Sequence, residues 1–150
     1  FDVVGEMLHL VNKYDIPIKL LELEITETTD SEGVSDVVQK MKDAGFTMLM
    51  DDFGSGYSSL NMLQKTQFDV LKIDRGFLSE FMESSRGRKI ISHTISMSRD
   101  IGLDIIAEGV ETPEQASFLS DCGYDSAQGF YYSKPITQEE FDKMLVEVNK

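Results

Sequence analysis

The residues of this chain best suited to chemistry are two adjacent acids, Asp51 and Asp52, followed by Phe53-Gly54-Ser55-Gly56. They come directly after an apolar run, Phe46-Thr47-Met48-Leu49-Met50, that reads as a buried strand. Neighbouring carboxylates repel each other, so keeping both ionised where a strand gives way to a loop calls for a cation. Glu24, Lys72, Glu108 and Gln128 stand at corresponding places, each near the carboxyl end of a predicted strand. In α/β sheets the site-bearing loops lie at that edge. One polar strand end is unremarkable; a polar residue on every successive strand points to a site. Carboxylates hold hard cations such as Mg2+ through oxygen, and two ions sharing a carboxylate suit phosphodiester hydrolysis. Asp51 is well placed as the shared ligand, with Asp52 serving the second ion. Lys72 is placed to contact a phosphate oxygen or to orient the attacking hydroxide. Glu108 is placed to ligate or to take a proton, and Gln128 to hydrogen-bond water. Spacing alone leaves those roles open.

Positioning these residues requires a regular alternation of strands and helices. The apolar spacing predicts a helix over Asp2 to Tyr14, ending before Pro17, then a strand from Ile18 to Ile25. A helix over Ser31 to Ala44 follows, with Ser31 as N-cap and Gly45 as stop. The Phe46 to Asp51 strand leads into a short helix from Tyr57 to Gln64, with Leu60 and Leu63 turned inward. Phe68 to Asp74 is the next strand, and Phe77 to Phe81 a connection to a helix over Arg86 to Arg99. Leu103 to Val110 is a strand, and Thr112-Pro113-Glu114 opens a helix to Cys122. A short strand from Ser126 to Tyr131 and a helix from Thr137 to Val148 complete an α-(βα)5 order. Such alternation implies a parallel sheet with right-handed crossovers. Period-2 alternation turns Leu20, Glu22, Glu24, Thr47, Leu49, Asp51, Phe68, Val70, Lys72, Asp104, Ile106, Glu108, Ser126 and Gln128 to one half-polar face.

Composition narrows the function classes. The 150 residues are 41% hydrophobic and 27% charged, as in a single soluble globular domain. A formal net charge of −13 argues against binding a nucleic-acid polymer or a membrane surface. Arg86, Arg88 and Lys89 read as a solvated helix start. Acidity of this size also repels phosphate unless metal ions intervene. Cys122 is the single cysteine, so there is no disulfide framework and the cytoplasm is the expected compartment. No signal peptide or membrane span is visible, and any anchor of a parent protein is expected elsewhere.

The motifs Glu24-Ile25-Thr26-Glu27, Asp51-Asp52-Phe53-Gly54-Ser55-Gly56, Leu71-Lys72-Ile73-Asp74, Ala107-Glu108-Gly109-Val110-Glu111-Thr112 and Gln128-Gly129-Phe130 together resemble the EAL domain, in order, from Leu20 to Pro135. The family comprises bacterial phosphodiesterases that linearise cyclic di-GMP to pGpG on a modified (β/α)8 TIM barrel with Mg2+ or Mn2+. The resemblance implies a two-metal site with Glu24, Asp51, Asp52 and Glu108 at the metals, and Lys72 and Gln128 around the catalytic water. It implies that Glu27 braces the loop after Asp52, with Gly54, Ser55 and Gly56 in that loop, and that Glu111 is a second acid of the Glu108 motif. Ser55 stands where the family usually has Thr, which keeps the hydroxyl. The Glu-Ala-Leu motif and an Asn-bearing strand, which supply two ligands to one metal, lie upstream of Glu24 in the family and are absent here. The chain therefore resembles the last five of eight βα units, a partial EAL domain over residues 1 to 150, and activity is expected of the intact domain rather than of this stretch. Family members also dimerise through the helix after the Asp-Asp loop, here near Tyr57 to Gln64. An open five-stranded sheet would leave two edges unpaired, so a longer chain, or a second chain, is expected to complete the barrel.

Rival readings are weaker. A non-catalytic cyclic di-GMP receptor or protein-interaction module is the main alternative, but degenerate family members lose acids at the motifs kept here. Asp52-Phe53-Gly54 lacks the other kinase motifs, and Gly54-Ser55-Gly56 lacks the Lys of a P-loop. Those glycines are expected to let the loop move. His9 and His93 are isolated, and the methionines fall at core positions. Tyr131-Tyr132 is expected to pack near the final strand, with stacking on a guanine base as the alternative.

Overall fold

A computed structural model describes residues 2–26, 33–54 and 59–148. The elements run α1 (Val3–Tyr14), a 3-10 turn (Ile18–Leu20), β1 (Glu22–Thr26), α2 (Val34–Asp43), β2 (Thr47–Phe53) and α3 (Ser59–Lys65). They continue with β3 (Val70–Ile73), α4 (Arg75–Met82), α5 (Ser85–Asp100), β4 (Asp104–Ala107), α6 (Pro113–Cys122), β5 (Ser126–Ala127) and α7 (Gln138–Val148). All strand pairs are parallel, and the spatial order β1-β2-β3-β4-β5 equals the chain order. Each crossover thus steps to the next neighbour in one direction. With right-handed connections this puts the helices on one face, as in a barrel wall, whereas a doubly wound sheet reverses its order.

Packing follows from that winding. Leu23, Ile25, Met48, Met50 and Leu71 meet Val38, Met41 and Met62 in one apolar cluster behind β1 to β3. Ile73, Ile105 and Ala107 meet Leu78, Met82, Ile91, Ile95 and Leu119 in a second behind β3 and β4. Met41, Met48, Met50, Met62 and Met82 are all buried, so these methionines fill core. Two aspartates pin the strand starts. Asp69 Oδ2 accepts from Met48 N (2.9 Å) and its Oδ1 pairs with Lys42 (2.8 Å); Asp125 Oδ2 accepts from Ile105 N at 2.9 Å.

Several expectations change. Ile18–Leu20 is a 3-10 turn rather than strand, because Leu20 N bonds back to Pro17 O at 2.9 Å, and Leu20 is 69% exposed instead of inward. Phe68 precedes β3 and lies in the helix-side cluster, not on the open face. Leu60 is 61% exposed; Met62 takes the core position on α3, and Leu63 packs against it. The connection through Phe77 and Phe81 is itself a helix, α4, capped by Asp74, whose Oδ1 accepts from Gly76 N (2.7 Å) and Phe77 N (3.3 Å). β5 stops at Ala127 because the chain turns at Gly129, whose O accepts from Tyr132 N at 3.0 Å. The Thr112 cap of α6 holds, as a capping box closed by Gln115. Gly45 stops α2 as expected, at φ +99. α2 starts at Val34 with Gly33 as its N-cap in place of the expected Ser31, which lies outside the described residues.

Candidate metal centre

Register brings the polar strand ends together. Thr26 pairs with Asp51, and Lys72 with Ile106, at the carboxyl edge of the sheet. Glu108 and Gln128 fall just beyond β4 and β5, yet their backbones continue the ladder. Glu108 N donates to Ile73 O at 3.0 Å, and Gln128 N to Ala107 O at 2.9 Å.

The two acids at the end of β2 sit on a bulge. Met50 pairs with Leu71 and Phe53 with Ile73, so three steps along β2 match two along β3. Asp51 and Asp52 therefore both face the single residue Lys72. The extra residue is taken up where Asp52 adopts the left-handed conformation, φ 59. In a regular strand adjacent side chains take opposite faces. Here Phe53 returns to the helix-side core, while Asp51, Asp74, Lys72 and Glu24 all act electrostatically on Asp52.

Lys72 stands at the centre, its side chain only 9% exposed. Its Nζ lies 2.7 Å from Glu24 Oε1, 2.9 Å from Asp51 Oδ1 and 2.9 Å from Glu108 Oε1. Gln128 Nε2 also donates to Glu108 Oε1. The Asp51 contact is close but outside hydrogen-bond angles, so Asp51 Oδ1 is a buried acceptor with no hydrogen-bonded partner. Burial works to lower the Lys72 pKa, but its contacts with Glu108, Glu24 and Asp51 outweigh burial and hold the ammonium well above the ordinary lysine value. Asp52 is raised above the usual carboxylate range, first by burial and then by the charges of Asp51 and Asp74.

Three carboxylates on one ammonium leave an excess of negative charge. Among the described residues, no group of three or more His, Cys, Asp or Glu is arranged as it stands to hold a metal ion; the lysine sits in their midst. The donor set nevertheless fits a hard divalent cation. It is all oxygen, it converges on positive charge, Asp51 Oδ1 is buried without a hydrogen bond, and Asp52 is crowded by like charge.

The other expected site residues divide. Gly54 follows the bulge at φ +98, and a Cβ there would stand 2.4 Å from the Phe77 ring, so close approach to α4 explains this glycine better than loop motion. Glu111 pairs with Arg75 at 2.9 Å, not with Lys72. Glu27, Ser55 and Gly56 lie outside the described residues. His9 and His93 are exposed. Tyr132 packs edge-to-face on Tyr131, and its hydroxyl is 3.0 Å from that of Tyr124. Sequence reasoning placed Asp74 at a strand end without its capping role and passed over Arg75. The signal was present: an Asp followed by Arg-Gly-Phe-Leu after a strand is a helix start.

A family model described as the EAL domain matches residues 2–135. The chain belongs to the EAL domain family. Its fold is accordingly the EAL-type α/β barrel, represented by five consecutive strands. It is 32% identical, over 95% of its length, to the cyclic di-GMP phosphodiesterase NbdA of Pseudomonas aeruginosa, of which it covers 19%. It spans about a fifth of the length of such curated relatives. The EAL domain of Mycobacterium smegmatis DcpA superposes with a TM-score of 0.86 at 34% identity, over 96% of this chain and 66% of that one. A manganese and cyclic di-GMP complex of Klebsiella pneumoniae BlrP1 gives 0.78 at 30% identity, over 86% of this chain and 34% of that one.

Proposed function

We propose that this chain forms part of the active site of a metal-dependent phosphodiesterase that hydrolyses cyclic di-GMP to linear pGpG, the intact barrel being the active unit. The observation that carries the reading is the convergence of Glu24, Asp51 and Glu108 on Lys72, with Asp52 added by the bulge. The names of NbdA and of the BlrP1 complex support the substrate and manganese. Glu24, Asp51, Asp52 and Glu108 would hold Mg2+ or Mn2+, with Asp51 shared. When bound, such ions polarise the phosphodiester and make water acidic enough to attack at neutral pH. Lys72 would hold a non-bridging phosphate oxygen or orient the nucleophile. Glu108 would ligate a cation or take the proton, and Gln128, bonded to Glu108, would orient water. Gly54, against Phe77, and Glu111, paired with Arg75, shape the surrounding loops.

Assembly is part of the proposal. A groove of about 930 Å³ between α3, α4 and α5 exposes Leu60 beside Phe77, Phe81 and Ile90. It suits a second copy docking along α3, as a homodimer. No helix among the described residues is long and apolar enough to cross a membrane; a soluble substrate and the lone Cys122 suit the cytoplasm. The test is turnover of cyclic di-GMP with Mg2+ or Mn2+ by this chain and by a form extended upstream. Activity in the extended form, lost in Asp51→Ala, is the expected result. Binding without turnover in both forms replaces the enzyme with a receptor.

A further inference from the structure

Arg75 is the first residue of α4. The ladder pairs Ile73 with Ala107, so its continuation sets Arg75 level with Gly109, the residue after Glu108. The two are in intimate contact. A Cβ on Gly109, which has φ +63, would stand 2.3 Å from Arg75 Cγ and 2.5 Å from Arg75 Cβ. The arginine stem therefore lies directly against the glycine backbone. Beyond it the guanidinium reaches Glu111, with Nη2 2.9 Å from Oε1.

The opposite side of the same loop is already tied down. Val110 N donates to Gln128 O at 3.1 Å, and Tyr131 N to Val110 O at 2.9 Å. A Cβ on Gly129 would come within 2.1 Å of Val110 O, so the two backbones are in contact. Glu111 N is held by Gln115 Oε1 at 2.8 Å. On the β3 side, among the described residues, the backbone tie of this loop is Glu108 N to Ile73 O at 3.0 Å. An exposed ion pair by itself contributes little to stability, and Arg75 is 65% exposed. What the pair does instead is close the loop from that side.

We infer that Arg75 is a positioning residue for Glu108. Clamped across Gly109 and anchored on Glu111, it keeps the Glu108 carboxylate at the sheet mouth beside Lys72 and Gln128, ready for a divalent cation. The inference rests on the reading of Glu108 as a metal ligand given above.

The test is a Mn2+ titration of the full-length protein, followed by the electron paramagnetic resonance signal of free Mn2+, alongside cyclic di-GMP turnover. Arg75→Ala is expected to weaken Mn2+ binding about 10-fold, the scale seen for residues that orient metal ligands. Turnover should recover as Mn2+ is raised, with KM for the dinucleotide at saturating Mn2+ unchanged. Arg75→Met, which keeps the stem, should lose less, and Arg75→Lys should restore most of the affinity. Glu111→Gln should match Arg75→Met, and the double variant should be no worse than either. Parent-like Mn2+ affinity in Arg75→Ala, with affinity lost in Glu108→Gln, overturns the bracing role alone. Parent-like affinity in Glu108→Gln overturns the metal reading and the bracing role with it.

Discussion

Asp52 carries a penalty that a proton or a cation relieves. Its carboxyl is raised by burial and by Asp51 and Asp74, so the folded chain binds a proton there more tightly than the unfolded chain does. The sign follows. Above the raised pKa the ionised Asp52 disfavours folding, and as pH falls through that pKa the folded state gains. Urea titrations of the metal-free protein should show this acid-side gain, and Asp52→Asn should be more stable near neutrality and lack it. Lys72 is the opposite case. Its raised pKa means that its stabilising contribution is complete below the ordinary lysine value and is lost only as pH rises through the folded one. Lys72→Met leaves Glu24, Asp51 and Glu108 uncompensated and should cost about 3 kcal/mol by chemical denaturation. At this scale the sequence was informative, since acids and a lysine at strand ends need only residue identity and alternation. The pairing of Lys72 with three carboxylates was not legible, because it depends on distances across four strands.

Elements explain why some of these residues meet. Alternation predicted five parallel strands, and the observed sheet has them in chain order. It could not foresee that β2 runs on through Asp51 and Asp52 to Phe53, because a bulge breaks the period on which the reading depends. α4 was overlooked because it is short. Its apolar residues, Phe77, Leu78, Phe81 and Met82, recur at helical spacing, but over eight residues such a pattern passes for a connection unless the Asp74 side-chain cap is recognised as a helix start. Leu60 shows the converse error, since apolar residues are often exposed and hydrophobicity alone does not assign a helix face. α4 also dictates the glycine after the bulge. Gly54→Ala would force a Cβ into the Phe77 ring at a positive φ, and should destabilise by about 1–3 kcal/mol. The thermal melt would read this directly. A melt unchanged by the substitution would show that the loop does not lean on Phe77.

For the molecule as a whole, charge is the governing quantity. A net charge of −13 strains any compact state, and much local repulsion is focused at the strand ends. A ligand that binds only the folded form stabilises by mass action, about 2.7 kcal/mol at a hundredfold excess over Kd. Mn2+ should therefore raise the melting temperature of the full-length protein, and raise it less in Asp51→Ala. Equal shifts in both would place the ion elsewhere. The bulge has a final consequence that is purely arithmetical. β2 holds one residue more than its hydrogen-bond ladder needs, and that surplus residue is Asp52. Excise it, and Asp51 keeps its face, Phe53 moves into regular alternation, and the left-handed kink disappears. The shortened chain should fold at least as stably as the parent, as urea denaturation would show, but with one acid fewer at the sheet mouth. In this strand an irregular count is what doubles the charge.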